Sequence, residues 1–344
     1  MTNNMEILTT KSSIAYLPQY LNLYRACFPN ALHLRHEYLT WLYDSNPVGS
    51  FIGADAIVGS EVVGQVVAIP CEYILRNESV RGLLAVNVAV HPNYQGKFLF
   101  KKLGLKMCEF GADAGYDFVI GVANAAATPG WKRQMGFQVI KPLDAMLGIG
   151  ELGVFSSDSV LRNTEFKHNW QESTLTWRCN NPNNKVFLNN KSGNSLSAFC
   201  ASGKFGISAY AEIPHIEIDT HRTMNHCLKF IQPRVFLGLN PGFKYKKNYI
   251  PVPEKLRPSP LNLIYKNTIQ WINKIGETVE GQCQLLNTFS IYEVSKIASY
   301  RESSVENRLF NIAECKLLFD YFLDYLWKIM LNICQQKDSE GIKI

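Results

Sequence analysis

Val88-Ala89-Val90-His91-Pro92-Asn93-Tyr94-Gln95-Gly96-Lys97-Phe98-Leu99-Phe100-Lys101-Lys102-Leu103 is the stretch whose reading decides the fold. It runs as an apolar strand, breaks in a tight loop and restarts as a helix. The first N–H groups of a helix have no partner within it and point at whatever lies beyond its start. With the helix dipole they form a site for an anion such as a pyrophosphate. Lys97, Lys101 and Lys102 add positive charge beside it.

A companion lies one helix and one strand later. The buried-type strand 117–123 is followed by Asn124-Ala125-Ala126-Ala127-Thr128-Pro129-Gly130-Trp131-Lys132-Arg133-Gln134-Met135-Gly136-Phe137. If the strands at 83–90 and 117–123 splay apart, their unpaired backbone groups can bind an extended amide-bearing ligand by strand-like pairing. Asn124 ends the second strand within reach of the same ligand.

Working outward, residues 5–10 read as a strand and 13–29 as an amphipathic helix. A second helix over 33–44 stops at Asn46-Pro47, because the residue before proline is pushed out of the α region. The runs 51–58, 62–75 and 80–90 are β-rich, with a hairpin turn at 59–61. A helix over 96–114, the strand 117–123, a short helix over 128–135 and strands within 136–149 complete a mixed α/β unit. Its order is β-α-α-β-β-β-α-β-α-β-β. The second part of the chain echoes the first. Leu39-Thr40-Trp41 precedes Asn46-Pro47, and Leu175-Thr176-Trp177 precedes Asn181-Pro182 one residue closer. A tryptophan before Asn-Pro also arises by chance. The strand-like runs at 196–201 and 206–213, a helix over 219–231 and a strand over 233–240 repeat the order of the first half and favour a diverged repeat.

With these motifs in place, residues 5–294 resemble the GNAT acyltransferases, which bind acetyl-CoA. The match to V-x-V-x-P-x-Y-[QR]-G-x-G covers residues 88–98, and the match to N-x-x-A…G-F covers Asn124, Ala127, Gly136 and Phe137. The W-x-x-x-x-N-P pattern from Trp41 to Pro47 is similar to bacterial members found with surface-polysaccharide genes, which often carry a second, degenerate GNAT-like half. The run Leu256 to Tyr265 resembles their C-terminal half. The resemblance implies a GNAT-like mixed sheet with splayed central strands, in two halves, 1–150 and 151–294, the second degenerate. A C-terminal helical segment at 295–344 follows.

The same resemblance implies site roles. Backbone groups of Val88 and Val90 pair with the pantetheine arm of acetyl-CoA, the co-substrate. Backbone N–H groups of Gln95, Gly96, Lys97, Phe98, Leu99 and Phe100 hold its pyrophosphate, and Asn124 and Trp131 line its tail. An amine then attacks the thioester, and a backbone N–H of the central strand stabilises the oxyanion. Asn87, which also reads as a satisfied buried amide, and Glu72, which also reads as a strand-edge polar residue, are the candidates for handling the amine; Glu61 reads as a solvated turn carboxylate and His91 as a packing or capping residue. Two positions depart from the family. Phe98 stands where glycine is usual, and either crowds the pyrophosphate or turns its ring outward. Lys132 stands where many members have a tyrosine that protonates the departing thiolate. These departures keep a second class open, a GNAT-fold binding or scaffold protein without the chemistry. No phosphate cradle follows the central strand of the second half, where Leu239-Asn240-Pro241-Gly242 is only a turn.

Composition narrows the partners. The 344 residues carry 35 Lys+Arg against 29 Asp+Glu, scattered, which suits a small anionic ligand and by itself selects no nucleic acid. The expected acceptor is a small-molecule amine, an amino sugar by the resemblance. Nine cysteines, odd in number and without ligand spacing, read as reduced thiols of a cytoplasmic protein with no metal site. No signal peptide or spanning segment is expected. In the tail, Lys316, Asp320, Asp324, Lys328 and Asn332 form one polar stripe on an otherwise apolar helix, which predicts docking on its own chain or on a second subunit rather than on a membrane.

Overall fold

The computed structural model describes residues 7–75, 77–96, 98–155, 166–191, 195–202, 206–213, 232–239, 243–253, 260–268 and 283–284. The expected helices over 219–231 and in the C-terminal tail lie outside the described residues, as does Lys97.

The first half opens with β1 (Leu8–Lys11), then α1 (Leu17–Cys27) and α2 (His36–Tyr43). β2 (Ile52–Val58), β3 (Glu61–Leu75) and β4 (Glu78–Val90) form an antiparallel meander. α3 (Leu99–Asp113) carries the chain to β5 (Phe118–Asn124), which pairs parallel to β4. A π-helical turn, Gly130–Gln134, leads to β6 (Gln138–Pro142) and β7 (Asp144–Ile149). β3 is buried along most of its length, because α3 covers one face of the sheet and α1, α2 and the second half cover the other. A strand with both faces covered has no reason to alternate, which is why its sequence is a continuous apolar run.

The second half repeats this plan. β8 (Gly153–Phe155) and β9 (Phe166–His168) precede α4 (Glu172–Cys179). β10 (Phe187–Lys191), β11 (Ser195–Ala201) and β12 (Ser208–Ile213) form a second antiparallel meander. β13 (Pro233–Gly238) pairs parallel to β12, as β5 does to β4. β14 (Phe243–Tyr245), β15 (Tyr249–Pro251), β16 (Leu261–Asn267) and β17 (Cys283–Gln284) follow.

The two sheets exchange strands. The nine-stranded sheet runs β1-β2-β3-β4-β5-β16-β6, so β16 from the second half sits between β5 and β6; β9 pairs with β3, and β17 with β9. The six-stranded sheet runs β10-β11-β12-β13-β7-β15, so β7 from the first half sits between β13 and β15. Residues 136–149, one β-rich run in the sequence, are therefore divided at Leu143 between two sheets.

The halves meet at the tryptophans that announced the repeat. The Trp41 and Trp177 rings stack with centroids 4.7 Å apart. Each indole Nε1 donates to the other residue's backbone carbonyl at 2.9 Å. The contact is reciprocal, as a local twofold relation requires. The following Asn-Pro turns match as well: Asn46 Oδ1 accepts from Val48 N at 3.1 Å, and Asn181 Oδ1 from Asn183 N at 2.9 Å. These asparagines hydrogen-bond backbone two residues on, an Asx turn that ends each helix.

Beside this seam β9 brings His168 against β3. Its ring stacks on Trp170 at 4.1 Å and stands edge-on to Tyr73. Burial, and then the nearby Arg178 guanidinium, push the His168 imidazole down to about 3. An unfolded chain takes up that proton near pH 6.5, whereas the folded chain refuses it until about pH 3. Stability is therefore intact above pH 6.5 and falls as the pH drops through this window. Between pH 7 and pH 5 the wild type should lose about 2 kcal/mol more than His168→Phe in urea titrations. Parallel losses in the two proteins would show that His168 does not titrate this way.

Candidate active site

The parallel β4–β5 ladder pairs Gly82 to Ala85 with Phe118 to Gly121 and then stops. Beyond it β4 still pairs with β3, while β5 turns its other edge to β16. A wedge thus opens between Val86–Val90 and Val122–Asn124. At its apex β4 carries a bulge: Ala68 faces Ala85, Val67 faces Asn87, and Val86 is the extra residue. Such a bulge re-aims the strand and ends pairing where a ligand is to enter.

The polarity of the open edge follows from one bond. His91 N–H donates to Val63 O at 2.9 Å, so His91 is turned toward β3. Alternation along the strand then turns the backbone groups of Val88 and Val90 away from β3, into the wedge. Both side chains are half-buried and pack toward α3. Gln95 Nε2 covers Val90 O at 3.2 Å. Cys27, at the end of α1, is half-buried, and its thiol is pushed up to about 11 by burial, which keeps it protonated at neutral pH.

The wedge leads to the start of α3. His91 Nδ1 accepts from Asn93 N at 3.3 Å and caps the short 3-10 turn Pro92–Tyr94, the capping role its position suggests. Gly96 has φ +75°, and a Cβ added there would have nothing within 4 Å. Phe98 caps α3 in the left-handed region at φ 57° with its side chain 75% exposed, so of the two alternatives its ring takes the outward one. The first helical bond is Lys102 N–H to Phe98 O at 3.0 Å. The N–H groups of Leu99, Phe100 and Lys101 precede it and face out of the helix start.

The remaining expected residues are distributed unevenly. Asn124 Oδ1 accepts from Ala127 N at 2.8 Å and so caps the turn after β5. Trp131 is buried, edge-on to Phe100 at 5.3 Å and to Phe137 at 4.7 Å; its ring holds the wall together rather than facing the wedge. Phe100 is accommodated by Gly130, where a Cβ would meet the Phe100 ring at 2.5 Å. Lys132 and Glu61 are exposed. Glu72 sits on β3 opposite Arg81, five residues beyond Val67, the partner of Asn87. At ~3.3 Å per residue that is roughly 17 Å along the strand, so Glu72 and Asn87 do not share a reacting atom.

Asn87 is buried on the α1–α2 face of β4, and it ends a polar chain that sequence reading missed. Asn87 Nδ2 donates to Tyr43 Oη at 2.6 Å, and Tyr43 Oη lies 2.6 Å from Tyr24 Oη. Tyr24 Oη donates in turn to Gln65 Oε1. Opposite Gln65 on β2 stands Asp55, which accepts from Ser12 Oγ and Tyr20 Oη at 2.6 Å each. Burial raises the Asp55 carboxyl above its ordinary value, while hydrogen bonds from Ser12 and Tyr20 work against the rise. Burial also pushes the Tyr24 and Tyr43 hydroxyls well up, so both are neutral. The signal was present in the sequence: Asp55 and Gln65 are the polar residues inside the otherwise apolar runs 54–58 and 62–71.

Among the described residues no cluster of His, Cys, Asp or Glu could hold a metal ion, and no helix is long and apolar enough to cross a membrane. Cys27, Cys71, Cys108, Cys179 and Cys200 are free thiols.

Residues 10–140 match the family model described as an acetyltransferase (GNAT) domain. Among solved structures, a GCN5-related N-acetyltransferase from Kribbella flavida is similar with a TM-score of 0.50 and 12% identity, over 77% of this chain and 72% of that one. A second GCN5-related N-acetyltransferase, from Anabaena variabilis, gives a TM-score of 0.50 and 11% identity over 77% and 73%. At these identities the likeness is one of fold, and it extends beyond the residues of the family model. A search of the curated proteins finds no match.

Proposed function

We propose that the chain is an acetyl-CoA-dependent N-acetyltransferase, with its one acetyl-CoA site in the first half and a small-molecule amine as acceptor. The observation that carries the reading is continuity: the β4 edge beyond the last β4–β5 pair, open at Val88 and bridged at Val90 O by Gln95, runs into the open helix start after Gly96. An extended amide arm ending in a pyrophosphate needs those two features in that order. Gln95, Gly96, Phe98, Leu99 and Phe100 supply the anion-binding turn. The outward Phe98 ring leaves its N–H groups accessible. Acetyl-CoA supplies the acetyl thioester. The chain holds it in the wedge, offers a backbone N–H of β4 to the developing negative charge, and sets Asn87 beside the approaching amine. The amine nitrogen forms a bond to the carbonyl carbon, the carbon–sulfur bond breaks, and the thiolate and the amine's proton leave.

An amino sugar in surface-polysaccharide synthesis is the acceptor we favour, on the resemblance of the Trp41-to-Pro47 pattern alone. A binding protein without chemistry is the second reading, favoured by Phe98 and by exposed Lys132 in place of a tyrosine. Thermal unfolding with acetyl-CoA tests the proposal. At ~100 times the dissociation constant, bound ligand adds about 2.7 kcal/mol of stability. A melting temperature unmoved by millimolar acetyl-CoA would reject the cofactor site, while a shift without turnover of any amine would favour the second reading.

A further inference from the structure

The polar chain beneath the wedge has a direction, and the direction has a cause. Tyr24 has one hydroxyl proton and gives it to Gln65 Oε1. The proton shared between Tyr24 and Tyr43 must then come from Tyr43. Tyr43 has no second proton, so Asn87 must meet it with an N–H, which is the arrangement found. The same four side chains could be ordered in reverse. Gln65 would then present N–H to Tyr24, and Asn87 would present its oxygen to Tyr43. What separates the two orders is Asp55. It faces Gln65 across the β2–β3 ladder, and Ser12 Oγ and Tyr20 Oη, each 2.6 Å from one of its oxygens, stabilise its charged form. Gln65 Nε2 is buried and makes no hydrogen bond among the described residues, so Asp55 acts on the amide through its charge: a buried negative charge favours the N–H end on its own side and leaves Oε1 for Tyr24. At the far end Asn87 Oδ1 has no partner among the described residues and is not sealed from solvent. Asn87 lies beyond the last β4–β5 pair, at the bulge.

We propose that Asp55 and Tyr43 are positioning residues. Asp55 fixes the direction of the Gln65–Tyr24–Tyr43–Asn87 chain, and Tyr43 locks Asn87 so that its carbonyl oxygen faces the attacking amine. The proposal rests on the acetyl-transfer reading. Its chemistry is specific. An amine that donates an N–H to Asn87 Oδ1 keeps its lone pair free to attack the thioester carbon. An Asn87 turned the other way would donate to that lone pair and block it. Asn87 itself takes no proton; the proton released on amide formation goes to solvent.

Hydroxylamine is a suitable probe, because it is a small nucleophile that needs no acceptor pocket. Acetyl-CoA and hydroxylamine give acetohydroxamate and free CoA thiol, and the thiol is read directly. At saturating acetyl-CoA, Asn87→Ala should slow release about 100-fold. Tyr43→Phe, which keeps the ring stack on Phe51 and removes only the hydroxyl, should slow it about 10-fold. The double variant should be no slower than Asn87→Ala, because Tyr43 acts only through Asn87. Asp55→Asn should also lose about 10-fold. Calorimetry should give acetyl-CoA dissociation constants within about twofold of wild type throughout. Effects of Tyr43→Phe and Asn87→Ala that multiply, as independent structural losses do, would overturn the proposal, and so would an unaltered rate in Tyr43→Phe. These variants keep the test alive if Asp55→Asn does not fold. A wild type that neither binds acetyl-CoA nor releases thiol would instead overturn the acetyl-transfer reading.

Discussion

Trp177→Ala should destabilise the protein by about 3–5 kcal/mol, the range for deleting a large buried aromatic ring, and Trp41→Ala by a similar amount. Each ring is 7% exposed, and each is the other's stacking partner at 4.7 Å. Either truncation leaves a cavity between α2 and α4 and also strips a hydrogen bond from the remaining tryptophan's backbone carbonyl. Beside the rings Arg35 adds a smaller link across the seam, donating to Asn183 Oδ1 at 3.0 Å and to Pro182 O at 2.9 Å. Because the two residues share one contact, the double variant should cost less than the sum of the singles. Urea titration measures all three. A cost under 1 kcal/mol for either single variant would mean that the seam is held elsewhere.

That seam was legible because its cause is local. A Leu-Thr-Trp helix end followed by Asn-Pro forms the same cap in both halves, through Asn46 and Asn181, whatever the rest of the chain does. The strand–loop–helix at 88–103 was legible for the same reason. The strand exchange was not. Nothing within 136–149 distinguishes β6 from β7, and β7 belongs to the other sheet only because β13 and β15 are there to receive it. The helix start was placed too early, at 96, because Gly96 and Phe98 both take positive φ and delay regular helix to Leu99. At the site, composition alone separated a candidate carboxylate from a structural one poorly. Glu72 has the right chemistry and lies roughly 17 Å along β3 from the bulge. Asp55 and Gln65 look like misplaced polar residues in buried strands until Tyr20, Tyr24 and Tyr43 arrive from α1 and α2 to satisfy them. Their meaning is tertiary, and no spacing along the chain encodes it.

The second large effect concerns the anion-binding turn. Gly96→Asp should weaken acetyl-CoA binding by about 100-fold or more, since a like charge brought against the pyrophosphate costs several kcal/mol. The substitution suits the fold unusually well for one that removes binding. Gly96 has φ +75°, a region that Asp enters more readily than most residues, and the new Cβ meets nothing within 4 Å. A carboxylate near the start of α3 also interacts favourably with the helix dipole, by about 0.3–1 kcal/mol. Strain and dipole therefore offset one another, and the variant should melt near the wild-type temperature without ligand. Gly96→Asn separates charge from shape, because it has the same size and the same tolerance of positive φ. It should keep acetyl-CoA affinity within about tenfold of wild type. Calorimetry on the three proteins decides the matter. If Gly96→Asp binds acetyl-CoA as wild type does, the start of α3 is not where the phosphates lie, and the open edge at Val88 must lead elsewhere. If Gly96→Asp and Gly96→Asn lose affinity equally, the loop is the site but close backbone approach governs it, and the charge on the ligand contributes little.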